Sequence, residues 1–290
     1  MSHGARFRAA LALTCALAGC KSDRPSPRND ATSTAAGETA SAAPATVTVT
    51  AKDFAFDAPA QISAGAVAMQ LRNQGKEIHQ AQLVKLDEGK TAADLLAALK
   101  QHGPPPAWMK YVGGPNAAPP GQDVVATTVL EPGQYAYLCL IPSPDGVMHA
   151  AKGMVQTFEV TSAPAAVANS LPEADVTIKL VDFDFRSSQP LAAGKQTIMV
   201  DNAGPQAHEL VLVKLAPGKT IEDFATWAMS MKGAPPAMPV GGVGVLENGM
   251  RASFTADLTA GDYGLICFVP DAKDGKLHLV HGMMKNLKVG

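Results

Sequence analysis

A chain of 290 residues, 47% of them hydrophobic, has room for two compact domains, each with a core of its own. Its 24 Lys and Arg stand against 26 Asp and Glu, interspersed and not in runs. The resulting formal charge of -2 excludes an electrostatic case for nucleic acid or an anionic membrane surface as partner.

The first element in the chain is not part of the fold. Arg6 and Arg8 precede an apolar stretch, residues 9–18, that is too short to span a bilayer and ends in small side chains, the pattern of an export signal. Leu17-Ala18-Gly19-Cys20 resembles the bacterial lipobox. That resemblance implies a lipoprotein signal over residues 1–19, cut before Cys20, with lipid on the Cys20 thiol and amine; Lys21 beside it permits sorting to an outer membrane. No other stretch is long and apolar enough to cross a bilayer, so the expected location is the cell envelope, on its periplasmic or extracellular side, held by lipid. Residues 20–45 carry almost no large apolar side chain and cannot repay the entropy of ordering, so a disordered tether is expected there.

From residue 46 the chain reads twice. With a shift of about 129 positions the halves overlay almost without gaps: Phe54 and Phe56 fall on Phe183 and Phe185, Asn73 and His79 on Asn202 and His208, Cys139 on Cys267. The units expected are a domain over 46–162, a linker over 163–174 and a second domain over 175–290. Each opens on a strand of period two (TVTVT, VTIKL), followed by a D-F-x-F that supplies two aromatics to one face. Strands at 67–71 and 197–200 end in the turn sequences N-Q-G and N-A-G, with a histidine just past them. Helices are expected at 91–100 and 220–231, each with a Thr to cap its first turn, then a Pro-rich break and a Gly-Gly pair; they are expected to lie as a lid over one end of a sheet. Met109, Met229, Met231 and Met238 in this region are expected to be packing residues. Many short strands at regular spacing argue for an all-β fold of two tandem Greek-key β-sandwiches, each with a short helical insertion.

Of the four cysteines, Cys15 would leave with the signal and Cys20 would carry lipid, which leaves Cys139 and Cys267 at equivalent positions. In an oxidising compartment an unpaired thiol is a liability unless it is buried, bonded or bound to metal, and a disulfide between equivalent positions of two separately packed domains is not expected. Around each Cys the same order recurs: Tyr, an apolar run, Cys, a Pro three residues on, an Asp-Gly turn, His, then Gly-Met. A thiolate, two imidazoles and a thioether form a soft to intermediate donor set, the one that suits electron-transfer copper.

These residues resemble the cupredoxins, or blue copper proteins, in the N-x-G turn leading to a His, the G-x-Y-x-x-x-C strand (Gly133, Tyr135, Cys139; Gly261, Tyr263, Cys267) and the His followed by Gly-Met, over nearly all of 46–290. The resemblance implies two cupredoxin-like domains with one copper each. Its ligands would be His79, Cys139, His149 and an axial Met154 in the first, and His208, Cys267, His278 and an axial Met283 in the second.

Three departures stand out. Nine residues separate Cys139 from His149 and ten separate Cys267 from His278, a longer loop than in small blue copper proteins. Gln80 and Glu209 follow the first His where many family members have Asn, so the two potentials are expected to differ from the family's and from each other. Met284 adjoins Met283, so that axial assignment rests on the repeat.

Enzymes of the superfamily need a further copper held by several imidazoles, commonly including a His before the Cys; Leu138 and Ile266 stand there, and outside the signal only His102 and His281 are left over. The expectation is a copper-binding electron carrier that is not an enzyme, serving an unidentified redox partner in the cell envelope and touching the membrane through Cys20. Copper storage or delivery, and a metal-free binding module, stay open as other uses of the same fold.

Overall fold

The computed structural model describes residues 43–101, 105–163 and 168–290. The expected signal at 1–19, Cys20, the tether as far as residue 42, part of the linker and His102 lie outside the described residues. In the first half the strands are β1 Ala45–Lys52, β2 Ala55–Asp57, β3 Gln61–Ser63, β4 Gly65–Asn73 and β5 Gln82–Leu86. Helix α1 Ala92–Leu99 follows, then β6 Met109–Tyr111, β7 Asp123–Leu130, β8 Gly133–Leu138 and β9 Val155–Thr161. The second half repeats the series with β10 Val176–Val181, β11 Asp184–Ser187, β12 Gly194–Asn202 and β13 His208–Leu215. It continues with α2 Ile221–Ser230, β14 Ala237–Leu246, β15 Arg251–Leu258, β16 Gly261–Ile266 and β17 Met284–Val289. No helix among the described residues is long and apolar enough to cross a membrane.

The fold is all-β, two tandem Greek-key sandwiches, and period-two alternation decides what each strand buries. In β8, Tyr135 and Tyr137 point into the sandwich with Cys139 just beyond them, while Ala136 and Leu138 point the other way. In β16 and the residue after it, Tyr263, Leu265 and Cys267 face inward and Ile266 outward. Each of these strands is anchored at its start by a tyrosine hydroxyl that donates back four residues, Tyr135 to the Glu131 carbonyl at 2.9 Å and Tyr263 to the Thr259 carbonyl at 3.0 Å.

The outward residues explain the helices. Leu95 of α1 packs with Val84, Leu86 and Leu138, and Ile221, Phe224 and Ala225 of α2 pack with Val211, Val213 and Ile266. The inserts therefore cover the outer face of a sheet, and the expectation of a lid over its end is corrected: their apolar side chains have a full strand face to bury against. Both helices begin with a reciprocal cap, Thr91 with Asp94 and Thr220 with Asp223.

The two sandwiches are joined through both layers. One sheet of eight strands runs β11-β10-β12-β15-β7-β4-β1-β2, with β7 and β15 pairing across the halves. In the other layer the five-stranded sheet β3-β9-β8-β5-β6 and the four-stranded sheet β14-β13-β16-β17 meet through bridges Val112 to Leu246 and Pro115 to Val243. The Gln82 side chain is buried in this seam, accepting from Val245 N–H at 2.6 Å and donating to the carbonyls of Gly113 and Val245, both at 3.1 Å. The Gly-Gly pairs belong here: a Cβ on Gly114 would sit 2.2 Å from the Ala81 carbonyl oxygen, and one on Gly242 2.1 Å from that of Leu210.

Candidate metal centres

The upstream histidine of each half is delivered by a turn built on a buried asparagine. Asn73 donates to the carbonyls of Glu77 and Ala118, each at 2.8 Å, and accepts from Gly75 N–H; Asn202 donates to Gln206 and Leu246 and accepts from Gly204 N–H. The glycine of the turn leaves room for a carboxylate against the ring, since a Cβ on Gly75 would lie 2.5 Å from His79 Nε2 and 2.3 Å from Asp53 Oδ1. Gly204 stands in the same relation to His208 and Asp182.

The Cys-to-His loop folds back on itself, which disposes of its length. Pro142 bridges to Met148 and Pro270 to Leu277, so the extra residues form a small outward turn. His149 N–H then donates to the Ile141 carbonyl and Ala150 N–H to the Cys139 carbonyl; in the second half His278 N–H donates to Val269 and Leu279 N–H to Cys267. Short 3-10 turns, His149–Lys152 and His278–His281, end in Gly153 and Gly282 at φ 107 and 94, left-handed conformations that favour glycine. The methionine after each glycine is returned to the cysteine: Cys139 N–H donates to the Met154 carbonyl at 3.3 Å and Cys267 N–H to that of Met283 at 3.2 Å.

Three candidate ligands thus converge in each half, all fully buried. In the first, His79 Nδ1 and His149 Nδ1 are 3.0 Å apart, and Cys139 Sγ lies 3.3 Å from His149 Nδ1 and 4.0 Å from His79 Nδ1. In the second, the two Nδ1 atoms of His208 and His278 are 2.9 Å apart and Cys267 Sγ is 3.4 Å from His278 Nδ1. Backbone N–H groups of Gln80 and Glu209 point at the sulfurs from 3.4 and 3.5 Å. Met154 and Met283 are also fully buried and share the apolar clusters of Cys139 and Cys267, whereas Met284 is only half-buried and packs toward the outer cluster.

The protonation pattern tests whether these residues fit a metal. His79 Nε2–H donates to Asp53 at 2.7 Å, His149 Nε2–H to Glu77 at 2.9 Å and His208 Nε2–H to Asp182 at 2.6 Å. A neutral imidazole carries one proton, so in the first half both Nδ1 atoms present lone pairs to each other at hydrogen-bond distance. Two lone pairs face to face, beside a sulfur, are the arrangement a cation relieves. In the second half His278 Nε2 is buried without a partner among the described residues. Copper is the metal that a thiolate, two imidazoles and a nearby thioether fit.

Burial pushes the Cys139 thiol up to about 12 and raises Cys267 further, with the Glu209 charge adding to burial in the second case, so each thiol would keep its proton until a metal displaces it. Burial also lowers His149 and His208, and takes His278 down to about 4. The rings are therefore neutral at physiological pH, the form in which imidazole ligates. For Asp53, burial acts to raise the carboxyl, but hydrogen bonds from Lys76 N–H, His79 and Glu77 N–H outweigh it and the result is a lowered value.

Several participants were not singled out from the sequence as site residues. Asp53 and Asp182 belong to D-F-x-F, whose Phe54 and Phe183 rings pack against His149 and His278 at 4.9 and 5.1 Å between centroids. The repeat of Asp before each Phe was the available signal. Asn116, which donates to Glu209 Oε2 at 2.9 Å from the opposite half, left no such signal. His281 is exposed, stacked on Phe183 and paired with Asp274 at 3.1 Å.

No family model matches the chain, and no curated protein matches it. Solved structures to which it is similar include auracyanin A, a "blue" copper protein from Chloroflexus aurantiacus, at 25% identity over 42% of this chain and 100% of that chain, TM-score 0.30. A blue copper oxidase from Nitrosomonas europaea aligns at 16% identity over 85% of this chain and 86% of that one, TM-score 0.25. A Cu-containing nitrite reductase from Thermus scotoductus aligns at 12% identity over 84% of this chain and 61% of that one, TM-score 0.23. All three are copper proteins by name; the reading of the site rests on its own geometry. The two that span both halves are enzymes by name, and the expectation that this chain is not an enzyme is withdrawn on that finding. The histidine count behind it bears only on a further copper built within one chain, not on chemistry at the two centres or at a subunit interface.

Proposed function

We propose that this chain, a tandem pair of cupredoxin-like sandwiches with a His-Cys-His cluster in each, is an exported copper-binding electron-transfer protein with one mononuclear centre per half. His79, Cys139 and His149 would hold the first ion and His208, Cys267 and His278 the second, with Met154 and Met283 as the thioethers of each set. The observation that carries the reading is the pair of bare Nδ1 atoms 3.0 Å apart beside a buried sulfur. Bound copper would supply the one-electron couple. The protein's own residues supply the rest: burial excludes water, Asp53, Glu77 and Asp182 fix ring orientation, and the strand that carries Cys139 or Cys267 is pinned by its tyrosine, so that little rearrangement accompanies a change of oxidation state.

Copper(II) titration followed by visible absorption and electron paramagnetic resonance tests this. An intense thiolate-to-copper band is expected, with about half of it lost in each of Cys139→Ser and Cys267→Ser; no band in any of the three chains would overturn the reading. The envelope location is part of the same proposal, resting on the Cys20 lipobox resemblance, and a redox partner is to be sought there. Mass spectrometry of the exported chain is expected to find lipid on an N-terminal Cys20, and an unmodified mature N-terminus would remove the anchor from the proposal.

A further inference from the structure

The halves share their inner clusters both ways, Ala126 of the first joining that of Cys267 and Met250 of the second packing on that of Cys139. The outer clusters, against which the ligand loops lie, are shared one way only. Leu138 and Leu140 flank Cys139 and Ala150 follows His149; among the described residues, every member of their cluster belongs to the first half. Ile266 and Phe268 flank Cys267, and Leu277 and Leu279 flank His278; into their cluster the first half sends Ala117 and Ile78, the residue before His79. The repeat shows why this is not returned. Ile78 has Ala207 as its counterpart, too small to reach across, and Asn116 has Gly244. A Cβ on Gly244 would sit 2.5 Å from Gln82 Oε1, so the second half has no room there for a side chain.

A polar tie runs in the same direction. Buried Asn116 donates from Nδ2 to Glu209 Oε2 at 2.9 Å, and Glu209 Oε1 accepts from Phe268 N–H, next to Cys267, at 3.0 Å. Burial pushes the Glu209 carboxyl up, and the tie holds in either protonation state. The Asn116 NH2 donates to a carboxylate oxygen, and turned over, its carbonyl accepts from a carboxyl hydroxyl.

Resting on the copper reading above, we propose that the first half is a working part of the second centre: Asn116 and Ile78 position the Cys267-to-His278 loop, while the loop of the first centre is held by its own half. Neither residue touches the ion. Asn116 acts through Glu209, which holds the backbone beside Cys267, and Ile78 acts by packing on the residues that flank the cysteine and the histidine. Outer partners of this kind set the direction of a ligand and with it the affinity of the site. The second ligand set is therefore complete only when the seam between the halves has closed.

The test uses full-length chains with and without metal. In the metal-free chain, amide hydrogen exchange read by NMR is expected to be about tenfold faster at Phe268 N–H in Asn116→Ala, and unchanged at His149 N–H. With copper, a competition titration in a Cys139→Ser background is expected to show Asn116→Ala weakening the second centre about tenfold and altering its electron paramagnetic resonance spectrum. In a Cys267→Ser background the same change leaves the affinity and spectrum of the first centre as they were. Glu209→Gln keeps both bonds with the Asn116 amide turned over and is expected to keep the affinity; Glu209→Ala loses it, and adding Asn116→Ala to that variant costs nothing more. Should Asn116→Ala not fold, Ile78→Ala in the same two backgrounds is expected to weaken the second centre alone. Equal losses at both centres, or no loss at the second in Asn116→Ala and Ile78→Ala, would overturn the proposal and leave the copper reading standing. Absence of copper binding in every chain would overturn that reading; faster exchange at Phe268 would then still uphold the positioning by Asn116, and unchanged exchange would overturn it too.

Discussion

Asp53 and Asp182 decide which nitrogen of the upstream histidine is free. By taking the Nε2 proton they leave Nδ1 as the donor that faces the cysteine, and the glycine of the preceding turn is what lets them approach. Asp182→Ala removes that acceptor and is expected to weaken copper binding in the second half by about 10- to 100-fold. A competition titration in a Cys139→Ser background reads this directly, and an unchanged affinity would show the ring to be held by packing alone. Proton linkage gives a second expectation at this scale. His278 is lowered to about 4 by burial, with His149 and His208 also lowered, so between about 6.5 and about 4 the unfolded chain binds protons that the native metal-free chain does not. Stability of the metal-free protein should therefore fall as pH drops through that window, by up to about 1.4 kcal/mol per pH unit for a ring shifted as far as His278. Thermal unfolding against pH measures it; a flat profile across the window would mean that the rings are solvated in the native state.

At the scale of elements, the ligand-bearing strands were legible because the rule that buries them is simple. Cys139 continues the inward series of Tyr135 and Tyr137, and Cys267 that of Tyr263 and Leu265, so a cysteine in phase with the core was readable from alternation alone. The histidines were readable from their turns. The placement of the helices was not, because an amphipathic segment announces only that it has one face to bury. Whether that face meets the end of a sheet or its flank depends on which strand residues point outward, here Val84 and Leu86 beneath α1 and Val211 and Val213 beneath α2. As α2 buries its apolar face on the outward residues Val211, Val213 and Ile266, Thr220→Ala, which removes the reciprocal cap of α2, is expected to cost about 1 kcal/mol of stability without altering the copper spectrum. A spectral change in that variant would place α2 in closer contact with the centre than its packing implies. The Asn116 to Glu209 bond was illegible for a related reason: each residue is ordinary in its own repeat, and only the meeting of the halves pairs them.

At the scale of the whole molecule, the seam is symmetric in its strand pairing. Ala126 of β7 lies opposite Phe254 of β15, and Pro115 opposite Val243 in the other layer. These are the same correspondences that set Tyr135 on Tyr263 and Cys139 on Cys267 in the repeat. Each half therefore greets the other with the surface by which it is itself greeted, which is the signature of an isologous dimer whose two subunits have been written into one gene. A single half, residues 46–162, would be left with an unpaired β7 edge. It is expected to self-associate into a two-fold dimer in analytical ultracentrifugation. A half that stays monomeric at every concentration would mean that the two copies diverged before they met. If instead it dimerises, the linker's task is to fix stoichiometry and to let the two copies, once interchangeable, become different from each other.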